Sequence, residues 1–153
     1  MNEFFEDADP LGSDALNLLR AMRAEALCRY ADVLNPSAAV VNDPLVPRSA
    51  FLIVRFDGEV VGCGALRPID AETAEVRRMY VAPAVRRRGI ARRMLGELER
   101  RAANFGYRVL RLETGNRQPE AISLYESYGF QRIAPYGKHA NDPLSICFEK
   151  LTG

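Results

Sequence analysis

The stretch from Glu75 to Thr114 constrains the fold of this chain more than any other: EVRRMYVAPAVRRRGIARRMLGELERRAANFGYRVLRLET. Its first seven residues read as a strand, closed by Pro83. After Gly89, the residues Ile90, Met94, Leu98, Ala102 and Phe105 recur at helical spacing until Gly106 ends the run. YRVLRLET then reads as a second strand. Strand, helix, strand in that order makes the two strands parallel, joined by a right-handed crossover. A sheet with a helix packed on it follows, so the fold class is α/β.

The flanking sequence supplies antiparallel neighbours. AFLIVRFDGEVVGCGALRPI is a hairpin pattern, with two β-prone runs about an Asp57-Gly58 turn. Downstream, Pro119 suits a first helical position, and PEAISLYESYG is a helix ending at Gly129. Two more strands are expected around Phe130 to Pro135 and Leu144 to Leu151. Upstream, Ser13 is placed to cap a helix to about Tyr30, its apolar face being Leu16, Leu19, Met22, Ala26 and Leu27. A short strand fits before it. The proline-rich NPSAAVVNDPLVPRS reads as an irregular connection. The expected architecture is a mixed, mostly antiparallel sheet with a central parallel strand pair and flanking helices, in one domain spanning 1–153.

Bulk properties narrow the function. The 153 residues suit a single core. No long uncharged apolar run marks a membrane helix, and the acidic start MNEFFEDADPLG lacks a secretory pattern. A cytoplasmic location without a membrane partner is therefore expected. Cys28, Cys63 and Cys147 form no CxxC pair, and His139 is the single histidine. That predicts neither a disulfide framework nor a bound metal, and no Ser-His-Asp triad. Cys63 and Cys147 fall in expected strands, where a small apolar core role is the default. The arginine-dense run from Arg77 to Arg111 carries little interleaved aromatic character, and the net charge is only +1. No nucleic-acid partner is expected on that basis.

The turn before the helix is the most suggestive local feature. Arg86, Arg87 and Arg88 precede Gly89, although like charges repel and glycine is a poor interior helix residue. A helix N-terminus leaves backbone N–H groups unpaired and carries partial positive charge, which makes it an anion site. Gly89 and the small Ala91 leave that backbone open to a bulky ligand. An isolated RRRG is more simply a solvated turn; the preceding strand and the long amphipathic helix shift the balance toward a ligand.

Arg86-x-x-Gly89-x-Ala91 resembles the Gln/Arg-x-x-Gly-x-Gly/Ala acyl-CoA signature of the GNAT superfamily of N-acetyltransferases. The resemblance runs from about Phe51 to Lys150. It includes EVRRMYVAP before the signature and QPEAISLYESYGF after it, the latter similar to Asn-x-x-Ala-Ile-x-Leu-Tyr-Glu-x-x-Gly-Phe. Ala91 stands where a second glycine is common, and Gln118 stands where the family usually has asparagine. Asn116 is a second candidate for that amide's role.

The resemblance implies acetyl-CoA as co-substrate and an amine acceptor of a small molecule or peptide. It implies that Met79, Tyr80 and Val81 hold the pantetheine arm, and that Arg87 to Arg92, including Arg88, Ile90 and Ala91, wrap the diphosphate through backbone amides. Tyr125 matches the family tyrosine that protonates the departing thiolate, although helical spacing alone reads it as core. Glu75 and Glu113 compete as the base, and the sequence leaves that choice open. The acceptor pocket is expected between the connection from about Tyr30 to Arg48 and the loop PYGKHANDP, where Tyr136, Lys138 and His139 are candidate contacts. The acceptor and the choice between monomer and homodimer stay open. A GNAT-like domain that senses acyl-CoA without turnover is the alternative reading.

Overall fold

The computed structural model of the protein describes residues 2–153. Seven strands form one mixed sheet. They are β1 (Glu3–Asp7), β2 (Ala50–Phe56), β3 (Glu59–Pro68), β4 (Thr73–Val81), β5 (Val109–Gly115), β6 (Gln131–Ile133) and β7 (Ser145–Leu151). Three helices accompany them: α1 (Ser13–Arg29), α2 (Ile90–Asn104) and α3 (Pro119–Tyr128). The order across the sheet is β1-β2-β3-β4-β5-β7-β6, with β4 and β5 as its parallel pair and every other pairing antiparallel. This is the expected α/β class and topology.

The helices bury opposite faces of the sheet. Ile90, Met94, Leu95 and Leu98 of α2 pack with Leu52, Leu66, Val76 and Leu110 in the larger core. Ala15 and Leu18 of α1 cover Phe51, Ile53, Cys63 and Ala65 on the other side. Alternation along β2 and β3 sends successive side chains into the two layers, so these strands are apolar on both faces and read as near-continuous hydrophobic runs.

Several boundaries differ from the sequence expectation, each for a local reason. Ser13 does not cap α1. Gly12 is the N-cap, its carbonyl accepting the Leu16 N–H at 3.0 Å. Gly89 is likewise the N-cap of α2 rather than its first residue, with φ +79°. β6 is shorter than Phe130 to Pro135, because Phe130 is spent closing α3. Its N–H bonds the Tyr125 carbonyl at 3.0 Å, behind a left-handed Gly129.

The feature that positions a site is the brevity of the parallel pairing. β4 and β5 are in register only at Thr73↔Val109, Ala74↔Leu110 and Glu75↔Arg111. Beyond Glu75, β4 keeps only β3 as a partner; beyond Arg111, β5 keeps only β7. The two strands part there, and each turns an unpaired backbone edge to the gap. Opposite Gly64, β4 carries an extra residue: Cys63 faces Tyr80 and Ala65 faces Arg77, leaving Arg78 and Met79 against one glycine. The bulge puts Arg78 at φ +57°, and bulges bend the strand that carries them.

Tyr30, just past α1, ties that helix to the far end of β5. Its hydroxyl accepts the Arg117 N–H at 3.0 Å. A Cβ on Gly115 would lie 2.0 Å from the same oxygen. Gly115→Ala is therefore expected to expel the ring and destabilise the fold by about 2 kcal/mol, a drop in Tm of about 4–8 °C. Adding Tyr30→Ala should make the double variant less destabilised than the sum of the two. Thermal melts that show strict additivity would contradict this packing.

Candidate active site

A cleft of about 290 Å³ opens where β4 and β5 diverge. Its walls come from Glu75 to Met79 on β4, Glu113 to Gly115 on β5, Gln118, Ala121 and Tyr125 around α3, Met22 on α1, and Lys138 and His139 of the β6–β7 loop. The divergence thus brings together both candidate bases, the candidate acid and the loop expected to meet an acceptor.

The carboxylates are held firmly. The Tyr136 hydroxyl donates to Glu75 Oε2 at 2.5 Å, and Arg77 Nε lies 3.5 Å from Oε1. The Ser145 hydroxyl donates to Glu113 Oε2 at 2.5 Å. His139 sits between them, its Nε2 3.5 Å from Glu75 Oε2 and its Nδ1 3.9 Å from Glu113 Oε2. The imidazole also packs edge-on against the Tyr136 ring at 5.4 Å. One imidazole therefore lies within 4 Å of both acids. Burial, followed by the hydrogen bond to Glu75, holds the Tyr136 phenol well above its ordinary range, so it stays a donor.

Tyr125 combines both roles that its position suggests. Its ring packs against Phe130 and Phe148, each with centroids 6.0 Å away. It is 7% exposed and still lines the cleft. Burial, and then the nearby Glu113 carboxylate, push its phenol up to about 12. The group is neutral and proton-bearing throughout the physiological range.

Past the end of β4, α2 presents its N-terminus. The first intrahelical bond runs from the Arg93 N–H to the Gly89 carbonyl at 3.0 Å, so the N–H groups of Ile90, Ala91 and Arg92 precede the ladder. Arg87 shares the left-handed conformation, at φ +65°. The unpaired amides at the start of the helix are suited to anions.

The model of the Acetyltransferase (GNAT) family matches residues 17–130, which contain this turn, both diverging strands and α3. The chain belongs to the GNAT family of acetyltransferases. It is 44% identical over 106 residues to the IAA acetyltransferase of Azospirillum brasilense, covering 68% of this chain and 69% of that one. A structure from Klebsiella pneumoniae, assigned as an acyl-CoA N-acyltransferase, superposes with TM-score 0.83 at 29% identity, over 99% of this chain and 98% of that one. The fold is also shared, with TM-score 0.69 at 21% identity and 98% coverage of each chain, by a GNAT acetyltransferase from Elizabethkingia anophelis that has acetyl-CoA bound. An acyltransferase is what these relationships support.

Not every residue of the GNAT-like signature lies free at the site. Arg86 is occupied: its Nε donates to the Val81 carbonyl at 2.8 Å, and its Nη2 to Glu25 of α1 at 2.6 Å. It braces the turn against α1. Arg92 reaches the Ser127 hydroxyl of α3 at 3.1 Å. Arg87 and Arg88 are exposed and make no ion pair among the described residues. Elsewhere the basic run is matched internally by Arg93–Glu3, Arg101–Asp7 and Arg111–Glu149 pairs. Gln118 lines the cleft, whereas the exposed Asn116 does not. Met79 also lines it, while Tyr80 packs toward the α1 layer.

Sequence reasoning overlooked Ser145 and Arg78. Ser145 follows a loop and pairs with Glu113 only through the β5–β7 register, which places it beside Gly115. Arg78 had a signal: Gly64 inside a strand pattern marks a bulge or a close backbone approach.

Proposed function

We propose that this protein transfers an acetyl group from acetyl-CoA directly to a primary amine of a small molecule or peptide, with both substrates bound at once. The divergence of β4 from β5 beside Tyr125 carries this reading. The unpaired edge of β4 at Met79 to Val81 is suited to pair with the amide groups of the pantetheine arm. The amides from Arg87 to Arg92 then receive the diphosphate, with Gly89 clearing the approach and the Arg87 and Arg88 side chains adding screened attraction. Gln118 can bond the arm from the α3 side.

Direct transfer fits the two cysteines on the sheet. Cys63 is buried, donates its thiol to the Arg78 carbonyl at 3.1 Å, and burial pushes it up to about 12. Burial raises Cys147 as well. Neither is available as the thiolate that a covalent acetyl carrier requires.

In the transfer, the amine nitrogen attacks the thioester carbonyl, its proton leaves toward Glu75 or Glu113, and the C–S bond breaks as Tyr125 gives its proton to sulfur. Both carboxylates line the cleft, so either can receive the amine proton. The Glu113 charge opposes ionisation of Tyr125. A proton arriving on Glu113 removes that opposition, so Tyr125 becomes a better acid at the moment thiolate forms.

The test is thiol release from acetyl-CoA across amino acids, polyamines, aminoglycosides and peptide N-termini, paired with calorimetry. Acetyl-CoA binding and release with at least one amine class are expected. Binding without turnover on any amine would favour the sensor reading, and absence of binding would end both.

A further inference from the structure

The cleft contains two unmatched cations as well as its two carboxylates. Arg77 is matched, by Asp43 at 3.1 Å and Glu75 at 3.5 Å. Arg78 beside it makes no ion pair among the described residues. Its one side-chain bond runs from Nη2 to the Val41 carbonyl at 3.1 Å, and its buried Nε has no acceptor in the protein. Burial, and then the neighbouring Arg77 charge, hold the guanidinium below its ordinary value, against the pull of Asp43. Lys138, exposed on the β6–β7 loop, lines the same cleft and is also unpaired among the described residues.

A buried charge-bearing N–H without an acceptor is costly. So is a left-handed arginine, which the β4 bulge imposes at φ +57°. Bulges beside sites serve to re-aim a side chain. Here the bulge places Arg78 in the cleft wall, next to Met79 and three residues from Glu75.

We propose that the acceptor is an amino acid: a small molecule whose amine is received at Glu75, His139 and Glu113 and whose carboxylate is received by Arg78 with Lys138. This deepens the transferase reading and rests on it. A carboxylate supplies a counter-charge to a guanidinium that no acid among the described residues pairs with. The volume of about 290 Å³ suits a small acceptor. A polyamine has no anion to offer and would set its further ammonium groups against Arg77, Arg78 and Lys138.

The experiment measures kcat/KM by thiol release at saturating acetyl-CoA for α- and ω-amino acids, each beside its own carboxamide, with putrescine as the diamine. Each preferred amino acid is expected to exceed its amide by about tenfold or more. Arg78→Gln should shrink that ratio to about twofold, mainly through KM, and Arg78→Lys should restore part of it. Lys138→Gln, an exposed loop change that leaves folding intact, should raise KM for the amino acid severalfold. Amides or putrescine used as well as amino acids would overturn the proposal, as would a ratio that neither Arg78→Gln nor Lys138→Gln moves. If no amine releases thiol, the transferase reading falls, and calorimetry of N-acetylated amino acids on the CoA-loaded protein decides this one. Binding lost in Lys138→Gln or Arg78→Gln sustains it, and no binding overturns it.

Discussion

Gly89→Val is expected to weaken coenzyme A binding by at least about a hundredfold while leaving the protein folded. Two effects combine. Gly89 holds φ +79°, where a β-branched residue is strained; adopting or escaping that conformation costs about 1–3 kcal/mol. The side chain also covers the amides that precede the α2 ladder. A Cβ at Gly89 would lie 2.7 Å from Arg93 Nη1, but that guanidinium end is flexible and can yield. The backbone cannot. Losing two charge-assisted bonds from amides to the diphosphate removes about 3–6 kcal/mol, or a factor of about a hundred to ten thousand.

Side-chain charge is the competing source of affinity, and Arg87→Ala separates the two. Arg87 is exposed, and a solvated cation contributes little beyond screened attraction. That variant should lose only a few-fold in Kd, with the loss shrinking as salt rises. Gly89→Val should lose affinity at every salt concentration. Calorimetry across an ionic-strength series reads both, and a Gly89→Val protein that binds coenzyme A within threefold of the parent would rule out these amides as the diphosphate site. Thermal melts check that the variant is folded, and Gly89→Ala should fall between the two.

The strand–helix–strand unit from Glu75 to Thr114 was legible because each piece carries its own local pattern and their order admits one handedness. The separation of β4 from β5 is implied by the GNAT resemblance but not by the residues themselves. Nothing in EVRRMYV says that pairing ends at Glu75↔Arg111; this emerges when β7 takes one edge and a bulge opposite Gly64 bends the other strand. The acidic start and the arginine run were each visible as charge, yet only the fold shows that Glu3, Asp7 and Glu25 serve Arg93, Arg101 and Arg86. The same limit applies to the site. Glu75 and Glu113 were recognisable as rivals, and neither periodicity nor motif shows that His139 joins them. That contact links strands and a loop far apart in sequence, where no local preference operates. Tyr125 shows why pattern alone assigned it to the core. The packing against Phe130 and Phe148 is real, and the same residue lines the cleft.

Tyr125→Phe is expected to lower kcat by about a hundred- to a thousandfold, with acetyl-CoA affinity within about threefold of the parent. The ring contacts survive the change, so stability should shift by less than about 1 kcal/mol. The loss falls on kcat because the hydroxyl matters only as the C–S bond breaks. An ordinary thiol titrates near about 8.5 and this phenol at about 12, so complete transfer taken alone is uphill by about 5 kcal/mol. Under the proposed mechanism the proton moves as charge develops on sulfur, and neutralisation of Glu113 eases it. The sign of the shift fixes the pH behaviour. A raised phenol keeps its proton from neutrality to well above pH 10, so Tyr125 contributes no falling limb below about pH 11. The ratio of parent to Tyr125→Phe activity should then stay flat from about pH 6 to 9. Glu113→Gln removes the opposing carboxylate and should lower the Tyr125 ionisation, visible as earlier tyrosinate absorbance in an alkaline titration. A Tyr125→Phe protein with parental kcat would remove the phenol from the chemistry, and with it the reason for burying a hydroxyl at the foot of the cleft.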